Sequence, residues 1–328
     1  MLGCLRPAIP GLGCVRQAIP GFGCVRQARL RSARLPGTGS RSRGLQTYRR
    51  LGGGQQDPRV RYLAGAAVAT GAVYVAWHTG ESPTGRWQFI SVSVDEERQA
   101  GLQAYEEIMR RYWGRIEPRG SAADAMVRRV AQRVIAASGA EGDWEIHVID
   151  SPEKNAFVLP GGKIFVFSGL LPVARTEDGL ATVLAHEIAH QYARHTAEKL
   201  SQAKLLRLAY IFVALFVDQG MADLGRSVSS LVLELPNSRR CEEEADELGL
   251  RFMAMACYDP AQAVGLWQRM KAAERGAPPQ FLNTHPSTES RIESIRRWLP
   301  EAERAREAAG CVDPGLWHAF SASLGSGQ

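Results

Sequence analysis

No aspartate or glutamate occurs before Asp57 in this chain of 328 residues, although arginines recur from Arg6 to Arg50. The formal charge of +6 is therefore a property of the leader, and the remainder carries a mild negative balance. That distribution removes the usual ground for reading a basic chain as a nucleic-acid binder. Closely spaced cysteine pairs are absent as well. Of the six, Cys4, Cys14 and Cys24 lie in the leader, while Cys241, Cys257 and Cys311 are scattered without CxxC spacing. Neither a disulfide framework nor a cysteine zinc site follows, and the redox setting stays open. Long apolar runs are also scarce: Leu63 to Trp77 is free of charge, whereas Leu205 to Val217 is interrupted by Arg207.

Residues 1–30 repeat at a period of ten (LGCLRPAIPG, LGCVRQAIPG, FGCVRQARL), too short and too rich in proline and glycine to build a core. Residues 1–55 have the arginine-, serine- and glycine-rich, acid-free composition of a mitochondrial transit peptide. The apolar run that follows is flanked by Arg59, Arg61 and Tyr62 on one side and Trp77 and His78 on the other. It predicts one membrane-spanning helix over 62–78, at the short end of what crosses a bilayer at ~1.5 Å per residue. The arginine-rich side would stay in the matrix and the rest would face the intermembrane space. Leu205 to Val217 reads as a core helix or a membrane-dipping element.

Apolar spacing predicts helices over Asp95 to Ile116 and Ala122 to Ala137. WEIHVID (144–150) alternates like a strand, with His147 a half-buried packing histidine. NAFVLPGGKIFVFSG (155–169) reads as a hairpin turning at Pro160 to Gly162. Helices are then expected over Glu177 to Leu200, Asn237 to Ala256 and Pro260 to Ala273. A small sheet beside a mostly helical body makes the fold class α+β.

AHEIAHQYARH (185–195) concentrates the chemistry. Residues four apart on a helix share a face, so His186 and His190 can aim ring nitrogens at one zinc ion, which needs a third ligand. Glu187 is placed to act as general base on water. The extension HExxHxxGxxH fails, because Ala193 replaces the glycine and Thr196 the last histidine, leaving His195 as a helix-end residue. SRRCEEEADELG (238–249) offers Glu242 as third ligand, with Asp246 one turn later to fix a histidine tautomer. Alone, EEEAD would be a solvated acidic face; beside HEIAH, the metal reading gains.

HEIAHQYARH, then SRRCEEEADELG, then THPSTESRI (284–292), with NAF..PGGKIFVFSGLL upstream, resembles the zinc metallopeptidase family of the bacterial heat-shock membrane protease and the type-one CAAX prenyl protease. With SPTGRWQFISVS (82–93), the single anchor and the leader, the chain is similar to that family's mitochondrial inner-membrane, Oma-type branch. The resemblance implies a mostly helical, gluzincin-like zincin domain over 82–300 with a 301–328 tail. It implies one Zn2+ per chain on His186, His190 and Glu242, with Glu187 as base and Asp246 in support. The strand at Asn155, Ala156, Phe157 and Val158 would pair with an extended substrate. His285 is a candidate for steadying the oxyanion or gating the metal, against a turn capped by Ser287; Arg291 for an oxyanion donor, against a structural salt bridge.

The expected activity is a mitochondrial inner-membrane endopeptidase in protein quality control. Its expected partners are membrane-anchored polypeptides, inner-membrane lipid and a second copy of itself, with no nucleic acid. The rival is a membrane-tethered, zinc-containing binding or chaperone-like protein without turnover.

Overall fold

The computed structural model describes residues 58–216, 238–273, 280–285 and 289–311. The leader, the 217–237 segment, Ser287 and the tail beyond Cys311 lie outside those residues.

Helix α1 (Pro58–Trp77) covers the expected span, and its described side chains are mostly exposed from Tyr62 to Trp77. Among the described residues no helix is long and apolar enough to cross a membrane. The expected span over 62–78 is corrected accordingly: alanines favour the helix, but with the glycines and Thr70 they leave the stretch only weakly hydrophobic. A hairpin not read from the sequence follows, β1 (Thr79–Glu81) pairing antiparallel with β2 (Trp87–Phe89) around Gly85 at φ 82°. Strands of three residues are too short to show alternation.

Helix α2 (Val94–Tyr112) starts at a reciprocal cap between Ser93 and Glu96. Helix α3 (Ala122–Ser138) is capped by Ser121 and stopped by Gly139 at φ 64°, which buries Val127, Val130 and Val134 against the core. Three strands form the main sheet in the order β3 (Glu145–Ile149), β5 (Lys163–Phe167), β4 (Ala156–Leu159). β5 runs parallel to β3 and antiparallel to β4, so the expected hairpin forms with Gly161 and Gly162 both at φ 90°, and β4 is an edge. His147 stacks on Phe165 with ring centroids 5.1 Å apart, a packing role.

After a short α4 (Leu171–Ala174), α5 (Glu177–Tyr192) is buried from Gly179 to His190 and forms the centre of the domain. The helix expected over Glu177 to Leu200 breaks here. Ala193 closes α5, Arg194 adopts φ 56°, and α6 (His195–Phe216) sets off in a new direction. A left-handed arginine costs about 1 kcal/mol or more, and its guanidinium is fastened to Glu97 at 2.9 and 3.0 Å. Helix α7 (Arg239–Met255), capped by Ser238, packs along α5. Helices α8 (Gln262–Ala273), α9 (Phe281–Thr284) and α10 (Glu289–Ala308) complete the body, and α10 continues past residue 300 with Ala302 buried. The architecture is α+β and mostly helical. A disulfide joins Cys257, just after α7, to Cys311, just after α10, across 54 residues. Sequence spacing alone had shown no such pair.

Candidate metal centre

Helix α5 brings His186, Glu187 and His190 into the interior, with exposures of 2, 3 and 7%. Their apolar neighbours Leu184 and Ile188 anchor the helix in the core, which leaves the polar face turned toward α7. The backbones come close because Gly249 of α7 sits against His186. Glu242, in the first turn of α7, then reaches the two histidines, and α9 delivers His285 from the other side.

Four buried donor groups converge: His186, His190, Glu242 and His285 each offer one ligand atom within 4.8 Å of the others. The two Nε2 atoms of His186 and His190 are 3.1 Å apart, and each lies 3.4 Å from a Glu242 carboxylate oxygen. Nδ1 of His285 is 3.2 Å from Nε2 of His186 and 3.0 Å from Oε1 of Glu242. Ligands at about 2.0–2.1 Å around a tetrahedral zinc ion are about 3.3 Å from one another, so these separations fit. At 3.1 Å the two imidazole nitrogens need a shared proton or a metal ion between them. The donor set therefore suits zinc.

The outer nitrogens face further polar side chains. Nδ1 of His186 is 3.0 Å from Oδ1 of Asp246, whose two oxygens accept from Nε and Nη2 of Arg291 at 2.7 and 2.8 Å. Arg291 also pairs with Glu242 at 2.9 Å and lies over Trp267, 4.0 Å from the ring centroid. Its guanidinium thus stands in a buried salt bridge with two carboxylates. Nδ1 of His190 meets Nδ1 of His195 at 2.7 Å, and Nε2 of His195 meets Glu244 at 3.1 Å. His195 is buried where it opens α6, outside the four-residue donor set. His195 and Glu244 were both visible in their motifs, but nothing there signalled the turn at Arg194 that brings them together.

Glu187 presents Oε1 without a hydrogen bond, although Nε2 of His285 lies 3.3 Å away. A cleft of about 290 Å³ opens beside it, lined by Phe157, Leu159, Glu187, His190, Lys199 and His285. The edge strand β4 forms one wall. Phe157 and Val158 are half-buried, Ala156 is buried, and the Asn155 carbonyl is taken by the amide of Phe167 at 3.0 Å.

Burial pushes the Glu187 carboxyl up, partly offset by His285 and His186. Burial also drives His190 well below the ordinary imidazole range, the neutral state that metal ligation needs. For His186, burial is outweighed by Asp246 and Glu242, and its pKa is raised to about 9. Burial likewise works against charge on Glu242, yet His285, His186 and His190 hold it far below the usual carboxylate range.

The sequence profile of peptidase family M48 matches residues 121–299. Among curated proteins, the mitochondrial metalloendopeptidase OMA1 of Schizosaccharomyces pombe is 43% identical over 274 residues, covering 82% of this chain and 81% of that protein. Its namesake in Saccharomyces cerevisiae is 36% identical over 260 residues, covering 74% and 75%. The beta-barrel assembly-enhancing protease of Yersinia pestis is 27% identical over 182 residues, covering 52% and 37%.

Proposed function

Since the chain belongs to peptidase family M48, we propose that it is a zinc-dependent endopeptidase of mitochondria, acting on polypeptides at the inner membrane in protein quality control. The observation that carries this reading is the convergent buried donor set next to a carboxylate oxygen that has no hydrogen bond.

His186, His190 and Glu242 would hold the ion. When bound, zinc supplies Lewis acidity to the scissile carbonyl and to water. Glu187, with its carboxyl pushed up by burial, takes a proton from the attacking water and hands it to the departing amine nitrogen. Asp246, fixed by Arg291, keeps a proton on Nδ1 of His186 so that Nε2 faces the ion. The outer edge of β4, the last strand of its sheet, offers backbone groups to an extended substrate, which favours selection by chain conformation over side-chain identity. His285 occupies the corner of the donor set that a catalytic site keeps open, so we assign it a gating role.

The membrane side of this reading rests on the acid-free leader, the names of the relatives and the exposed apolar side chains of α1, from Leu63 to Trp77. We place α1 against the inner membrane and the catalytic domain in the intermembrane space, with membrane-anchored proteins as substrates. The Cys257–Cys311 disulfide suits a compartment oxidising enough to keep it.

The test is Glu187→Gln in the full chain, followed by cleavage of a membrane-anchored candidate substrate. Cleavage should fall by about 10²–10⁴-fold with zinc content unchanged. Undiminished cleavage would overturn the mechanism. Protease protection in intact and outer-membrane-ruptured mitochondria tests the topology, with protection expected to vanish only after rupture.

A further inference from the structure

The two α5 histidines are supported differently. Nδ1 of His186 faces a carboxylate directly, that of Asp246 at 3.0 Å. His190 instead meets a second imidazole, and the carboxylate stands one residue further out.

The hydrogen-bond directions are fixed by elimination. With Nε2 of His190 turned to the donor set, its Nδ1 carries the proton, so Nδ1 of His195 must accept at 2.7 Å. The remaining proton of His195 is then on Nε2, where Oε2 of Glu244 accepts it at 3.1 Å. Glu244 does not rest on His195 alone. Oε1 accepts from the Thr84 hydroxyl at 2.8 Å, and Oε2 from Nε of Arg86 at 2.8 Å. The Arg86 guanidinium continues to Glu198 of α6 through Nη1 at 3.0 Å and Nη2 at 2.7 Å. Thr84 and Arg86 belong to the β1–β2 hairpin, which is distant in sequence from both helices. Glu244 and His195 are both almost wholly buried, and the left-handed Arg194 sets His195 in place.

We propose that His195 is a positioning residue for His190, and that Glu244, clamped by Arg86 and Thr84, fixes its orientation. The hairpin thereby becomes part of the metal centre although none of its atoms lies in the donor set. The relay passes no proton in turnover. It selects one tautomer of His190 and one ring orientation, so that displacing the hairpin loosens a ligand on α5.

This inference rests on the metal centre proposed above, and one experiment separates their failures. Zinc binding is measured by chelator competition on the purified full chain and its variants, with thermal unfolding of the metal-free proteins alongside. One equivalent bound by the parent, lost in Glu242→Ala, supports the centre; a parent that binds no zinc overturns the centre itself. Given a parent that binds, His195→Met fills the space without hydrogen bonds and should weaken zinc binding about 10–100-fold. His195→Gln retains one acceptor and one donor and should recover most of that loss. Arg86→Ala, remote from the ion, should weaken binding about 3–10-fold. Equal binding by parent and His195→Met, or equal loss in the Met and Gln variants, overturns the relay. Should His195→Met fail to fold, the Gln and Arg86 variants decide: unaltered zinc affinity in Arg86→Ala then overturns it.

Discussion

Gly249 of α7 lies so close to α5 that a Cβ built on it would stand 2.9 Å from the backbone nitrogen of His186 and 3.0 Å from its Cα. These are backbone atoms of a buried helix and cannot swing aside. Gly249→Ala should therefore push the two helices apart where the metal donors meet, costing about 1–3 kcal/mol. Zinc affinity should fall with it, because Glu242 rides on α7. Gly65→Ala is the control: nothing lies within 4 Å of its Cβ, and alanine favours the helix by about 1 kcal/mol. Thermal unfolding and zinc titration of the two variants check the contrast, and a Gly249→Ala protein as stable and as tightly loaded as the parent would contradict it.

The raised pKa of His186 makes metal uptake depend on pH. In the metal-free protein this ring holds a proton up to about pH 9, and zinc must displace it. Apparent zinc affinity should rise with pH, by about tenfold per unit where one proton is released, and level off above pH 9. The stability of the metal-free protein moves the other way. A group whose folded pKa exceeds its unfolded value of 6.5 contributes fully below pH 6.5, and the contribution is lost as pH rises to about 9. Chelator competition and unfolding between pH 6 and 10 read both trends, and flat profiles would show that His186 is not protonated in the metal-free state.

The gating role proposed for His285 can be tested against an oxyanion role. Its Nδ1 stands 3.0 Å from Glu242 and 3.2 Å from His186, at the fourth corner of the donor set. As a gate it competes with water, so His285→Ala should raise basal cleavage of an unstructured peptide while weakening zinc binding. As an oxyanion donor it would act oppositely, and its loss would cut kcat by about 10²–10³-fold. Rates at saturating zinc separate the two outcomes, and a fall in kcat of that size would remove the gating role.

Much of the fold was legible because apolar periodicity records which face is buried. α2, α3, the β4–β5 hairpin and the helices carrying HEIAH and EEEAD follow from it. The break between α5 and α6 was not legible, since nothing in QYARH marks Arg194 as the left-handed residue; that conformation is held by Glu97, remote in sequence. The same break hid the role of His195, which reaches His190 only because the chain turns. The β1–β2 hairpin escaped because two three-residue strands carry no period. Of the donor set, His285 was the least legible. THPS fixes no helical spacing to HEIAH, and only the packing of Phe281 against His285, stacked at 4.6 Å, shows how the loop is aimed.

The disulfide between Cys257 and Cys311 was likewise invisible to spacing, yet it fastens two helices that both bear on the metal. Cys257 follows α7, which carries Glu242 and Asp246, and Cys311 follows α10, whose first turn holds Arg291. Closing a loop with a sequence separation of 54 restricts the unfolded chain by about 2–4 kcal/mol. Cys257→Ser, or reduction, should lower Tm by several degrees in the metal-free protein. Zinc should restore part of the loss, because a ligand that binds only the folded state adds stability as its concentration exceeds Kd. The Arg291–Asp246 pairing lies at the other end of α10, so zinc affinity itself should change far less than Tm. Unfolding scans with and without reductant, at zero and excess zinc, measure all four states. An unchanged Tm on reduction would show that the two helices hold together without the bridge.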